Sequence, residues 1–403
     1  MRPARRFALQ SLAFALALGG VLLALKSQDT HADIGPYWRK LEDVRRQRPQ
    51  TLFVGSSRTY RHVDPVLFDS LRGGVRRSGG HSYNFGLPGS RALETHYRVD
   101  RLVEMELPGL QRLVVEFGPV EVRPPPAARN SRRVHHYHDA RRAALGARVA
   151  LAADLPRGER ARAAGDRWRT WVRNTFLVGW GRALANAAYK SRREAPPRPV
   201  GREGFVPLPA PGPVESPAPE AAAPEASGAA ASGAGLREAG GAVRDRSVGL
   251  AERRAAYLRP EGRAEMARRV RAIRERGALA PTERDRVTAA AWLALADRAR
   301  VRGVGVVFVE QPGTEGNGGV AALLREALGD GAVVSLNRPA RHPALFAPEA
   351  WFDLGHLGAP GARRVTEILA REVPPLAEGE PLARGQTPEA APEARPSAGE
   401  ADG

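Results

Sequence analysis

Five short apolar runs punctuate this chain, and most are followed by a stretch whose apolar positions recur at helical spacing. The first is TLFV at 51–54, ending in Gly55, and the second is SYNF at 82–85. RLVVEFG at 112–118, GVGVVFVEQP at 303–312 and AVVSL at 332–336 complete the set. Runs this short, bounded by glycine or polar residues, predict strands buried on both faces. Between them, Ser90 opens a helix whose inward stripe is Ala92, His96, Val99, Leu102 and Val103. Thr282 and Asp285 stand at the spacing of a reciprocal helix cap, and Val365, Ile368, Leu369 and Val373 share one face of a final helix. Strands alternating with helices predict an α/β fold: three α/β/α layers around a parallel sheet of about five strands, with ligands at the carboxyl ends of the strands.

Two features interrupt that pattern. Roughly 185 residues separate the third run from the fourth, far more than the ~10–12 that a crossover needs. The first part, from about Arg132 to Arg193, is Arg- and Trp-rich with helical spacing; a Pro/Ala/Gly tract follows with too little bulky apolar surface to fold. At the N-terminus, MRPARR precedes an apolar run of about 19 residues, roughly 28 Å long as a helix and close to the thickness of a bilayer core. Arg2, Arg5 and Arg6 ahead of it place the rest of the chain outside the cytoplasm by the positive-inside rule. The expectation is a single-pass inner-membrane protein with a periplasmic domain. The alternative is a cleaved signal peptide and a secreted protein, with Thr30-His31-Ala32 offering small residues at a cleavage site.

The expected organisation is a basic tip (1–6), an apolar anchor (7–25), a stalk (26–50), a first core part (51–122) and a helical insertion (123–193). A disordered linker (194–245), a helical segment (246–302), a second core part (303–375) and a disordered tail (376–403) follow.

Composition narrows the chemistry. Of 403 residues 42% are apolar, enough for a proper core. The absence of cysteine excludes disulfides, thiolate metal sites and a cysteine nucleophile. The formal charge of +18 is spread along the chain in an Ala/Gly/Pro-rich background, with no zinc-finger, RNA-binding or basic-zipper signature, so no nucleic-acid partner is expected. The insert's arginines read as a solvated face, or as a contact for anionic lipid or acidic polysaccharide. His135, His136 and His138 lie among arginines with no carboxylate at ligand spacing; no metal and no cofactor are expected.

The chemistry lies in two short segments. A serine placed directly after a buried strand and a glycine projects from the carboxyl edge of the sheet, as in TLFVGSSRTYRH. Asp353-x-x-His356, ahead of the last helix in WFDLGHLGAPGARR, can supply the base and its orienting carboxylate.

These segments resemble the motifs of the SGNH, or GDSL, hydrolases. Gly55-Ser56-Ser57 resembles the first block, with Ser57 at the nucleophile and Ser56 at the usual aspartate. NFGLPG at 84–89 resembles the second, with Gly89 in the oxyanion hole, and DLGHLGAPGA at 353–362 resembles the last. The matches cover about 51–122 and 303–373. The resemblance implies an SGNH-hydrolase-like, flavodoxin-like fold and a serine esterase or O-acyltransferase in which Ser57, Asp353 and His356 form the triad. It implies an oxyanion held by the Ser57 and Gly89 amides. The third block departs from the pattern: Gly118-Pro119-Val120-Glu121 has no asparagine, and losing such a donor typically costs about 2.7–4 kcal/mol. Arg58 or Asn84 is the expected substitute or substrate contact. The resemblance is to membrane-anchored, acyl-transferring members that act on cell-envelope polysaccharide beside a multispanning membrane acyltransferase. A plain secreted esterase or lipase, and a catalytically degenerate basic polysaccharide-binding module, are the alternatives.

Overall fold

The computed structural model describes residues 3–27, 36–73, 81–123, 132–176, 201, 203–208, 244–276, 280–313 and 318–376. In chain order the elements are α1 (Pro3–Ser27), α2 (Tyr37–Gln47), β1 (Thr51–Val54), α3 (Ser57–His62), α4 (Pro65–Leu71), β2 (Ser82–Asn84), α5 (Ala92–Glu104) and β3 (Arg112–Glu116). The insertion supplies α6 (Arg132–Tyr137), α7 (Ala140–Leu151), α8 (Arg157–Thr175), α9 (Arg244–Leu258) and α10 (Pro260–Arg276). The chain returns through α11 (Glu283–Val301), β4 (Gly305–Glu310), α12 (Gly318–Leu328), β5 (Val333–Ser335) and α13 (Ala359–Glu372).

The five strands form one parallel sheet in the order β2-β1-β3-β4-β5. This is a doubly wound order, and its switch point lies between β1 and β3. Alternation along the strands sends side chains to two separate apolar layers. Leu52, Val54, Leu113, Val115 and Phe308 pack on one side with α2, α5, α11 and α12. Phe53, Val114, Val307, Val309 and Val334 pack on the other with α4, α9, α10 and α13. Three layers result, as the alternation of strands and helices predicts. The expected final-helix face, Val365, Ile368, Leu369 and Val373, is buried, and the Thr282–Asp285 reciprocal cap is formed.

Three regions differ from expectation. Residues 37–47, read as part of a helical stalk, do form a helix, α2, but it packs on the sheet and buries Tyr37, Leu41 and Val44 in the core. Lys40 on the same face is also buried, because its Nζ donates to Asn84 O and Gly204 O, each at 2.6 Å, and lies over the Tyr60 ring. Burial drives its pKa well below the ordinary lysine value. Second, Glu203–Leu208, inside the stretch read as a disordered linker, is docked: Glu203 O accepts from Asn84 N–H at 2.9 Å, and Val206 N–H donates to Tyr60 O at 3.3 Å. Gly204 has φ +80°, and a Cβ there would overlap Asn84 O, so this strap requires glycine. Third, α9 and α10 belong to the second core layer through Tyr257, Met266 and Ile273.

The insertion is fastened by charge as well. Arg142 of α7 and Arg298 of α11 share the buried Asp100 carboxylate at 2.6 and 2.8 Å. Burial works to raise the Asp100 pKa, but the two guanidinium groups outweigh it and hold it below its ordinary value. At the N-terminus, Phe7, Phe14 and Leu16 of α1 are exposed. Among the described residues no helix is long and apolar enough to cross a membrane. The cleavage alternative at Thr30–Ala32 and the tail beyond 376 lie outside the described residues.

Candidate active site

The site forms at the carboxyl edge of the sheet, next to the switch point. β1 ends at Val54, and Gly55 lets the chain turn where nothing larger fits: a Cβ there would overlap Thr59 Oγ1 and Glu116 Oε2. Ser56 caps α3 by accepting from Arg58 N–H at 3.1 Å. Ser57 is the first residue of that helix.

Glu116, the last residue of β3, holds this turn. Its carboxylate accepts from Ser56 N–H at 2.7 Å, Ser56 Oγ at 2.6 Å, Thr59 Oγ1 at 2.6 Å and Thr59 N–H at 3.3 Å. An anion at a helix start also suits the dipole of α3. The Ser57 N–H has no partner among the described residues.

Asp353 and His356 reach Ser57 from a loop 299 positions later, with His356 Nε2 at 2.9 Å from Ser57 Oγ. His356 Nδ1 lies 3.0 Å from Asp353 Oδ1. Asp353 is buried and accepts from the N–H groups of Gly355 at 2.7 Å and His356 at 2.8 Å. Burial alone would raise its pKa, but the hydrogen bond and charge of His356 and the Gly355 amide reverse the sign, and the carboxyl lies below its ordinary value. An acceptor at Nδ1 places the imidazole proton there and leaves Nε2 free to accept from the serine hydroxyl.

His62, at the end of α3, supports the loop from within. Its Nε2 accepts from Leu357 N–H at 3.0 Å, and its ring lies 6.3 Å from that of His356. Burial first, then the charges of His356 and Arg58, pushes its pKa well below the ordinary value, so it is neutral.

Gly89 sits on the facing loop with φ +71°, a conformation that favours glycine. Its N–H, like that of Ser57, has no partner among the described residues. The two loops are tied by Arg98 of α5, almost fully buried, which donates to Gly55 O at 2.7 Å, Phe85 O at 2.9 Å and Ser90 Oγ at 2.6 Å. Burial lowers its pKa to about 10, and it remains a cation. Arg133 of α6 closes over Pro88 O and pairs with Glu94 at 2.6 Å.

The two expected auxiliary residues differ. The Arg58 guanidinium lies against Gly313 and is half-buried at the site. Asn84, by contrast, is fully buried and its amide is committed: Nδ2 donates to Thr59 O at 2.7 Å and Val63 O at 2.6 Å, and Oδ1 accepts from Gly86 N–H at 2.8 Å. It staples the loops and has no donor left for an oxyanion or a substrate, which corrects the expectation that it substitutes for the missing asparagine. Of the three clustered histidines, His138 Nε2 lies 3.1 Å from Arg167 O and His136 packs edge-on against Tyr37 and Tyr97. The His135 side chain lies outside the described residues.

Glu116, Arg98 and His62 were not singled out from the sequence. Glu116 ends a predicted strand beside the site, and that position was the available signal; Arg98 and His62 carried none.

Comparison with known proteins returns no match: no family model, no curated protein and no solved structure is similar to this chain.

Proposed function

We propose that this protein is an SGNH-type serine enzyme that transfers or removes an O-acyl group, acetyl by preference, on a cell-envelope or exported polysaccharide. One observation carries the reading: a serine hydroxyl, an imidazole and a buried carboxylate in hydrogen-bonded series, at 2.9 and 3.0 Å, on the carboxyl rim of a parallel sheet. In this mechanism Ser57 Oγ attacks the acyl carbonyl carbon as its proton passes to His356 Nε2, and Asp353 stabilises the imidazolium. The N–H groups of Ser57 and Gly89 receive the oxyanion. Collapse expels the donor oxygen with the proton from His356 and leaves acyl-Ser57. His356 then deprotonates the acceptor, and a second collapse frees the serine. Water as acceptor makes the enzyme an esterase; a sugar hydroxyl makes it a transferase.

The resemblance of the motifs to anchored members favours transfer, with a multispanning acyltransferase as the donor partner and the N-terminal segment as the membrane anchor. Deacylation timed with and without added polysaccharide tests this reading: slow hydrolysis that accelerates on adding acceptor, with acyl recovered on the sugar, is expected. Fast hydrolysis indifferent to acceptor would make it an esterase. Acceptor binding undiminished in Ser57→Ala without any acyl chemistry in the parent would leave a binding module.

A further inference from the structure

The loop Trp351–Leu357 must hold His356 within reach of Ser57, and it is supported from outside as well as by its own hydrogen bonds. It is closed by a bridge between Trp351 and Leu357, with Phe352 N–H donating to His356 O at 2.9 Å and Asp353 N–H to the same oxygen at 3.3 Å. Helix α9, which the chain reaches only after the long tract beyond residue 208, lies along its outer side. Arg254 Nη1 donates to Trp351 O at 2.6 Å and Phe352 O at 3.1 Å, the two carbonyls just ahead of Asp353. Its guanidinium also stands 5.6 Å from the Phe352 ring. Arg253 Nη1 lies 3.5 Å from Asp353 Oδ2, the carboxylate oxygen farther from His356 Nδ1. Tyr257 OH donates to Pro348 O at 2.7 Å, and Arg269 of α10 reaches Leu354 O at 3.4 Å. Both helices are seated in the second core layer, so these groups are presented from a fixed base.

We propose that Arg253 and Arg254 are positioning residues of the serine site, and that the returning arm of the insertion sets the geometry of the acid–base loop. This rests on the Ser57–His356–Asp353 reading above. Arg254 fixes the backbone from which the aspartate projects. Arg253 stands beside Oδ2 and biases the carboxylate toward its shorter contact, Oδ1 to His356 Nδ1. Neither is assigned a contact with substrate. A misplacement of about 1 Å at a reacting centre can cost roughly 100-fold in rate, which sets the scale of the effect.

The test is the rate at which a fluorophosphonate labels Ser57 in the full chain, measured against probe concentration. Arg254→Gln should lower the maximal labelling rate by about 10- to 100-fold with little change in the half-saturating concentration, and Arg254→Lys should recover part of it. Arg253→Gln, at a side chain 53% exposed, should fold normally and lower the rate less, by about 3- to 10-fold. In a His356→Ala background neither substitution should alter the residual rate, because both act through the imidazole. Parent-like labelling by both variants, or equal slowing in the His356→Ala background, would overturn the proposal while the serine reading stands. Should Arg254→Gln fail to fold, Arg253→Gln decides alone. A parent protein that does not label would remove the serine reading, and this inference with it.

Discussion

The two halves of the site are held in opposite ways. The Ser57 turn is braced from inside the sheet: Glu116 takes four hydrogen bonds from Ser56 and Thr59, Arg98 binds Gly55 O, and Gly55 leaves no room for a side chain. The acid–base loop is irregular, and its supports come from elsewhere, His62 on one side and the arginines of α9 on the other. A half-buried carboxylate with four donors is a stability element, since each donor it satisfies would otherwise lose its partner. A loop steadied by one exposed and one half-buried arginine can lose its alignment without unfolding the protein. Damage to the first half should therefore appear mainly in folding, and damage to the second mainly in rate.

The largest effect expected on that basis is catalytic. Asp353→Asn should reduce turnover by about 10⁴-fold, because the amide allows the wrong imidazole tautomer. Glu116→Gln should reverse the balance. Its new N–H₂ group faces donors, and urea unfolding should register a loss of about 2–4 kcal/mol, with slower serine labelling as a secondary consequence. His62→Phe strands the Leu357 N–H and should slow serine labelling by loosening the loop, with a stability cost of about 1–3 kcal/mol beside it.

That variant also sharpens a pH prediction. His62 and His96 both have folded pKa values below the unfolded value of about 6.5, His96 at about 4. A depressed histidine contributes stability that is fully present above about pH 6.5 and is lost as the unfolded chain takes up the proton below it. Stability should fall as pH drops below about 6.5, for His96 down to about pH 4, by roughly 1.4 kcal/mol per unit for each such histidine, and His62→Phe should flatten that slope. The smallest effect belongs far from both halves. Thr282→Ala removes the cap of α11 and should cost about 1 kcal/mol with turnover unchanged. An equal loss of rate there would blur the contrast between the two regions.

The sheet was legible because it depends on local pattern. The apolar runs at 51, 82, 112, 303 and 332 mark all five strands, with ends shifted by only one or two residues. Ser57, Asp353 and His356 were legible because each sits at a punctuated point, after a strand or before a helix, and the parallel order brings those points to one rim. What could not be read was the choice of partners across the chain. Asn84 looked like a free donor, and only the placement of Thr59, Val63 and Gly86 around it shows the amide to be spent. Lys40 and Arg98 sit on apolar faces, and only the carbonyls that receive them account for a basic side chain there. The strap at 203–208 lies in a Pro/Ala/Gly-rich tract, and its docking depends on one glycine and on a lysine some 160 positions away.

The central claim is that Ser57 is a nucleophile activated by His356. Peptide mapping after fluorophosphonate treatment tests it directly, on the folded parent and on His356→Ala, with a known serine hydrolase as control. The account predicts an adduct on the peptide carrying Ser57 in the parent and its near-disappearance in His356→Ala. A folded parent that stays unmodified while the control is labelled, or one whose adduct survives His356→Ala at the same rate, would contradict it.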